Sequence, residues 1–224
     1  VASYLTLEKY PDARLVYCDT GGEHPDNKRF LLDVEKWLNT KVIILKNPNY
    51  SDHMDVVQKT RFVNGPQGAR CTAELKKKMR YTFQQIDDLQ VFGYGFTKRD
   101  IRRAERFNEH FPEITTWYPL IEQQVTERDC IGFIQHIGID VPAMYKLGYD
   151  HNNCLGCVKG KKGYWNKLRR DGFTDVFERM AQIERQIGHT CIPGVYLDEL
   201  QEGEGNYKHE EPITCDFICQ SKLT

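Results

Sequence analysis

Three short apolar runs constrain the fold more than any other feature of this chain. Arg14-Leu-Val-Tyr-Cys18, Val42-Ile-Ile-Leu45 and Gln90-Val-Phe-Gly-Tyr94 show almost no polar alternation, the pattern of strands covered on both faces. Segments with helical spacing lie between them. Residues 1–10 read as a helix ended by Pro11-Asp12. After a start at Pro25-Asp26, the residues Phe30, Leu31, Val34, Trp37 and Leu38 share one face. Helical stretches are predicted near 51–62 and 72–86, then from Thr97 to about Phe111. Trp117-Tyr-Pro-Leu120 reads as short and extended. The stretch Thr126–Gly138 is helical, with a Thr126-x-x-Asp129 start and a glycine stop. Strands alternating with helices predict an α/β fold, a Rossmann-like parallel sheet with flanking helices. Beyond about residue 140 the pattern turns to helices and loops, with Phe173, Val176, Phe177, Met180, Ile183 and Ile187 marking one more amphipathic helix. We therefore expect a nucleotide-binding α/β domain over 1–140 and a cysteine-rich C-terminal extension over 141–224, packed on it.

A net charge of −1 in 224 residues argues against a broadly basic nucleic-acid binder. No apolar run approaches the roughly 18 residues of a membrane span. Eight cysteines are many for a chain of this kind, yet its size and regular patterning do not suit a secreted disulfide scaffold. The expectation is a cytoplasmic protein in which metal holds several of these cysteines. The sequence opens at Val1 in what reads as mid-helix, so a strand and its loop are expected ahead of it.

Cys154 and Cys157 form a C-x-x-C turn relaxed by Gly156. Such a turn points two sulfurs at one metal or cluster, although redox pairs and structural zinc share the spacing. Cys71 opens a helix rich in lysine, where the helix N-terminus and cations favour a thiolate. Cys191, Cys215 and Cys219 are the available further ligands, whereas Cys18 and Cys130 lie in apolar runs and read as core thiols. The seven histidines form no metal-binding spacing; His24 and His151 merely lie near these stretches. Arg99, Arg102, Arg103 and Arg106 fall at i, i+3, i+4 and i+7, lining one helix face with forks that match phosphate. Acids at 100 and 105 partly neutralise that face. Ligands of open α/β sheets sit beyond the carboxyl ends of the strands, which makes Asp19-Thr-Gly-Gly22 and Gly93-Tyr-Gly95 the floor of a nucleotide pocket or else ordinary tight turns.

Taken together, residues 14–160 resemble the phosphoadenosine phosphosulfate (PAPS) reductase family of the adenine-nucleotide α-hydrolase fold. The resemblance rests on Asp19-Thr-Gly21, Arg70-Cys-Thr-x-x-Leu-Lys76, Gly93 followed by Arg103, Tyr118-Pro-Leu120 with Thr126-x-x-Asp129, and Pro142-x-x-Tyr145-x-x-Gly148-Tyr149 leading into Cys154-x-x-Cys157. Residues 161–224, with Tyr164-Trp-Asn166 and Tyr196-Leu-Asp-Glu-Leu200, look like the less characterised members found in phage and mobile elements. The likeness implies ATP or a PAPS-like nucleotide, with Mg2+ as an accompanying ion. It places adenine and ribose near Thr20, Gly21 and Gly93 and phosphates near Arg103. Asp19, Arg70, Lys76, Arg99 and Arg102 are the other nucleotide-binding residues, and Cys71 and Arg103 the catalytic ones. It also implies a [4Fe–4S] cluster on Cys71, Cys154 and Cys157; because Thr72 stands beside Cys71, the fourth ligand comes from Cys191, Cys215 or Cys219 or is absent, leaving an open iron site suited to sulfur transfer. Zinc is the alternative metal.

The family's S-G-G-x-x-S phosphate loop is absent from the sequence and is expected before Val1; its C-terminal E-C-G is absent too, Thr214-Cys-Asp216 being no match. The resulting expectation is nucleotide cleavage at the α-phosphate to activate a substrate for sulfur transfer. The alternatives are an idle, zinc-stapled protein that holds a nucleic acid or a protein complex, and a sulfonucleotide reductase. Homo-oligomerisation is compatible with each.

Overall fold

A computed structural model describes residues 1–65, 68–213 and 215. The element order alternates as the apolar runs predict: α1 (Ala2–Lys9), β1 (Leu15–Asp19), α2 (Asp26–Leu38), β2 (Val42–Lys46) and α3 (His53–Thr60). Next comes one interrupted helix, α4 (Arg70–Thr72), a π-helical turn over Ala73–Lys77, and α5 (Lys78–Phe83). β3 (Gln90–Val91), α6 (Lys98–His110), β4 (Thr116–Trp117), α7 (Pro119–Glu122) and α8 (Glu127–His136) follow. The C-terminal part holds α9 (Ala143–Lys146), α10 (Lys162–Arg170), α11 (Thr174–Ile187) and two 3-10 turns, Leu197–Glu199 and Tyr207–His209. The α/β class stands. The strands form two pairs, β1 with β2 and β3 with β4, the latter parallel with Gln90 opposite Thr116. The apolar runs are less covered than their patterning predicts: Val16, Ile43 and Ile44 are 41%, 37% and 48% exposed. Short two-stranded pairs leave strand faces open that a broader sheet would cover. Tyr118-Pro-Leu120, expected to be extended, instead enters α7, because Pro119 takes the first helical position, where a missing N–H costs nothing.

The chain divides into two compact units, interleaved in sequence. The first comprises Val1–Tyr17, Asp26–Leu45 and Arg80–Pro142. Its core is aromatic: Phe92 stacks on Tyr94 and Tyr118 and meets Phe107, which is fully buried. A second group joins Tyr4, Trp37 and Phe133. Thr97 caps α6 by accepting from the Asp100 N–H. Thr126 and Asp129 close a reciprocal capping box on α8, as their spacing predicts.

The second unit comprises Cys18–Pro25, Lys46–Met79 and Ala143–Thr224. Met54, Val57, Tyr164, Trp165, Leu168 and Met180 form its centre, all at most 2% exposed. Glu184 of α11 is fully buried and caps the Cys191 loop, accepting from the Cys191 N–H at 2.6 Å and the Leu197 N–H at 2.7 Å. Burial raises its pKa, and those two amide bonds oppose the rise. Replacing Glu184 with Ala strands two N–H groups, and we expect a loss of about 2–4 kcal/mol. Glu184→Gln, which keeps an acceptor, should recover part of it. Chemical denaturation of the three proteins measures both.

Candidate functional site

Within the second unit, the turn after β1 and the C-x-x-C turn are built against each other. Asp19 Oδ1 accepts from the Gly21 N–H at 2.8 Å, which closes a tight turn with Gly21 at φ +67°. A Cβ on Gly21 would sit 2.0 Å from the Ser51 carbonyl oxygen, so only glycine fits. The Leu155 N–H donates to the Gly22 carbonyl at 2.8 Å, and Thr20 Oγ1 lies 3.0 Å from Cys154 Sγ. The Gly22 N–H reaches Thr20 Oγ1 at 3.4 Å, leaving the hydroxyl proton available to the sulfur.

Two buried side chains that the sequence reading did not single out for chemistry hold this arrangement. Tyr164 lies in the first turn of α10, and its hydroxyl accepts from the Gly156 and Cys157 N–H groups at 3.0 and 3.1 Å while donating to the Cys154 carbonyl at 3.2 Å. His53, first residue of α3, bonds the Gly156 carbonyl through Nε2 at 3.1 Å. Since a carbonyl only accepts, Nε2 carries the proton. A Cβ on Gly22 would stand 2.1 Å from His53 Nδ1, so the ring fills the space that glycine leaves. Neither residue follows from periodicity; only Tyr164 carried a signal, as part of Tyr164-Trp-Asn166.

The thiols gather here. Cys71, Cys157 and Cys191 pack against the buried core of the unit, and Thr72 Oγ1 lies 3.1 Å from Cys215 Sγ. The sulfurs act on one another electrostatically: Cys71 with Cys215 and Cys157, Cys191 with Cys157 and Cys71, Cys157 with Cys215, and Cys154 with Cys157. Desolvation pushes Cys71 up to about 12 and Cys157 to about 11, and also raises Cys154 and Cys191 well above an ordinary thiol. The expected depression of Cys71 by its helix start and lysines is therefore reversed. A turn of α-helix and one ammonium do not offset removal of the sulfur from water. That ammonium is Lys76, on the π-helical turn; the charges of Cys215, Cys154, Glu23 and Cys18 raise its pKa against desolvation. Cys18 is no plain core thiol, since its sulfur reaches the Lys76 carbonyl at 3.9 Å. Cys219 lies outside the described residues. Among the described residues, no three Cys, His, Asp or Glu side chains are set to hold a single metal ion.

The remaining predicted residues are held by other partners. Asp19 is engaged in its turn and with Lys46 at 3.5 Å; Arg70 pairs with Glu74 at 2.9 Å. In the first unit, Gly93 lines a cavity of about 710 Å3. The arginine face of α6 is split: Arg99, Arg102 and Arg106 are exposed, while Arg103 turns inward, pairs with Asp100 at 2.6 Å and lies 4.3 Å over the Tyr94 ring.

The order of the D-T-G turn, the cysteine-bearing helix and the C-x-x-C turn is matched by a known family. The phosphoadenosine phosphosulfate reductase domain covers residues 1–161. The chain belongs to that family. Comparison with curated proteins and with solved structures returned no match. Membership in the PAPS reductase family brings adenine-nucleotide binding and a sulfonucleotide-related function. No helix among the described residues is long and apolar enough to cross a membrane.

Burial holds His53 and His151 neutral, lowering both pKa values, that of His151 to about 4. Below the unfolded histidine value of about 6.5 the unfolded chain binds protons that the folded one does not, so stability falls with pH. We expect His151 to contribute a loss approaching about 1.4 kcal/mol per pH unit between about pH 6 and 4, with His53 adding in the same direction. Denaturant titrations across that range test this, and His151→Asn should remove one histidine's share of the slope.

Proposed function

We propose that this protein is an adenine-nucleotide-dependent enzyme that activates its substrate at the α-phosphate for sulfur transfer, with a thiolate-held iron–sulfur cluster beside the nucleotide turn. One observation carries the reading: Thr20, in the D-T-G turn of the family, touches Cys154 of the C-x-x-C turn at 3.0 Å. The turn proposed to meet the nucleotide and the turn proposed to face the cluster are thus in direct contact.

The donor set fits a cluster better than a single ion. Four sulfurs around zinc at about 2.3 Å stand only about 3.8 Å apart, and among the described residues no three such donors are set to hold a single ion. A cluster of several irons takes thiolates from farther apart. Cys71, Cys157, Cys191 and Cys215 are the set with the most mutual couplings and would hold it. Its positive charge would offset the desolvation that keeps these thiols protonated. When bound, the cluster supplies electrons or a sulfur-binding iron site.

The chain's own residues do the rest. Gly21 and Gly22 bring backbone close to the ligand, Thr20 orients the Cys154 sulfur, and Lys76 holds positive charge between Cys154 and Cys215. Tyr164 and His53 fix the turn so that these atoms keep their places. Cys154, which touches the D-T-G turn through Thr20, is assigned to the substrate rather than the metal. The colourless, zinc-stapled assembly protein remains the competing reading, and the tests separate the two.

Purified without air, the protein should show broad visible absorption and bound iron, and should release pyrophosphate from ATP with its sulfur acceptor present. Zinc alone would overturn the cluster. Cys157→Ala and Cys191→Ala should each lose most of the iron. Cys154→Ala should retain it, with unchanged visible absorption, and lose activity by about a hundredfold or more. Tyr164→Phe leaves two buried N–H groups unpaired; it should cost about 2–4 kcal/mol and lower iron content.

A further inference from the structure

One face of α6 departs from what an isolated helix would favour. Acids suit the first turn of a helix, where unpaired N–H groups carry partial positive charge, yet α6 starts with Lys98 and Arg99. Charges three or four residues apart are neighbours on a helix, and like pairs repel. Lys98–Arg102, Arg99–Arg102, Arg99–Arg103 and Arg102–Arg106 are all of that kind. The acid of the first turn gives the exposed cations no relief, because Asp100 turns inward to Arg103 at 2.6 Å. Among the described residues, no carboxylate pairs with Arg99 or Arg102.

The exposed charges sort into two strips. At about 100° per residue, Arg99, Arg102, Arg106 and His110 fall within about 80° of one another, with no acid among them. Glu105 and Glu109 stand together on the neighbouring strip. The basic strip runs about 10 Å from Arg99 to Arg106. A single guanidinium in water gains little from one anion. A polymer of phosphates gains more, since each contact releases a counterion held along the strand. Phe96, directly ahead of the Thr97 cap, is 37% exposed. An exposed ring at the end of a basic strip is a surface on which an unpaired base stacks.

We propose that the strip formed by Arg99, Arg102 and Arg106 is a docking surface for single-stranded nucleic acid, held through its phosphodiester backbone. A strip of this length meets roughly two or three successive phosphates, and Phe96 takes a base beyond them. With a net charge of −1 over the whole chain, the attraction belongs to this helix face and not to the protein at large. The inference uses residues of the first unit alone and does not depend on the nucleotide or cluster reading.

Fluorescence anisotropy of a labelled oligothymidylate of about twelve nucleotides, titrated with the whole chain, tests it. Affinity should fall as salt rises, with a log–log slope between about −1.4 and −2.1, roughly 0.7 for each phosphate met. Changing Arg99→Gln and Arg102→Gln together should weaken binding about tenfold or more at low salt and flatten the slope. Helix content should not drop, because the charges removed repel each other. Glu105→Gln should tighten binding, a gain that misfolding cannot produce. The proposal is overturned if the unaltered chain does not bind, if the double variant binds as well as the unaltered chain, or if the same sequence binds more tightly as a duplex. It is equally overturned if ATP or polyglutamate, at equal anionic charge, displaces the oligonucleotide, since these mark a mononucleotide pocket and an acidic protein partner.

Discussion

The arrangement of the thiols depends on one phenol. Tyr164 is 1% exposed, and its hydroxyl joins three backbone groups of the C-x-x-C turn. A turn that aims two sulfurs inward must turn amides inward as well, and buried amides without partners cost about 1–3 kcal/mol each. The same oxygen accepts two of them. Its own position is fixed in turn by Glu210, whose carboxylate accepts the Gly163 and Tyr164 N–H groups at 2.6 and 2.9 Å and so caps the start of α10. Gly163 and Gly205 let two backbones cross there, since a Cβ on either would meet main-chain atoms at 2.4 and 2.3 Å. Sequence far beyond the cysteines therefore sets the geometry of the cysteines.

Electrostatics at the site is a contest that desolvation wins. Lys76 lowers the pKa values of Cys71, Cys154 and Cys157, yet all three end above an ordinary thiol. One ammonium cannot hold several thiolates, and each thiolate that forms raises the cost of the next. Such a set is inert as nucleophiles until further positive charge arrives. That is the physical case for reading it as a holder of metal. The π-helical turn is the local device: an extra residue in one turn shifts the register of the side chains around Lys76.

Much of the fold was legible because it rests on local rules. Apolar runs gave the strands, the Thr126–Asp129 box and Gly138 bounded α8, and Gly188 ends α11 in the left-handed conformation. Three things were beyond reach. The ionisation of Cys71 depends on how much water its fold excludes, which helix position does not reveal. Tyr164, His53 and Glu184 act through tertiary contacts with main-chain groups 7 to 103 residues away, and a lone aromatic or acid in a helix carries no mark of that. The coverage of Ile43 and Ile44 depends on which strands and helices lie beside them.

The arginines of α6 show the same limit in a single helix. Spacing puts Arg99, Arg102, Arg103 and Arg106 on one face and makes them equivalent. Arg103, however, is 11% exposed at its side chain, with Asp100 13% exposed beside it. A partly buried guanidinium needs a partner, and the acid three residues earlier provides it at 2.6 Å while Tyr94 covers the flat face. For Arg103 to grip phosphate it must exchange a fixed, low-water carboxylate for the ligand, and the gain is only the difference between the two anions. Its exposed neighbours face the opposite balance: they keep their hydration, and each contact there is weak. The availability of Arg103 is therefore decided by Asp100, one turn upstream.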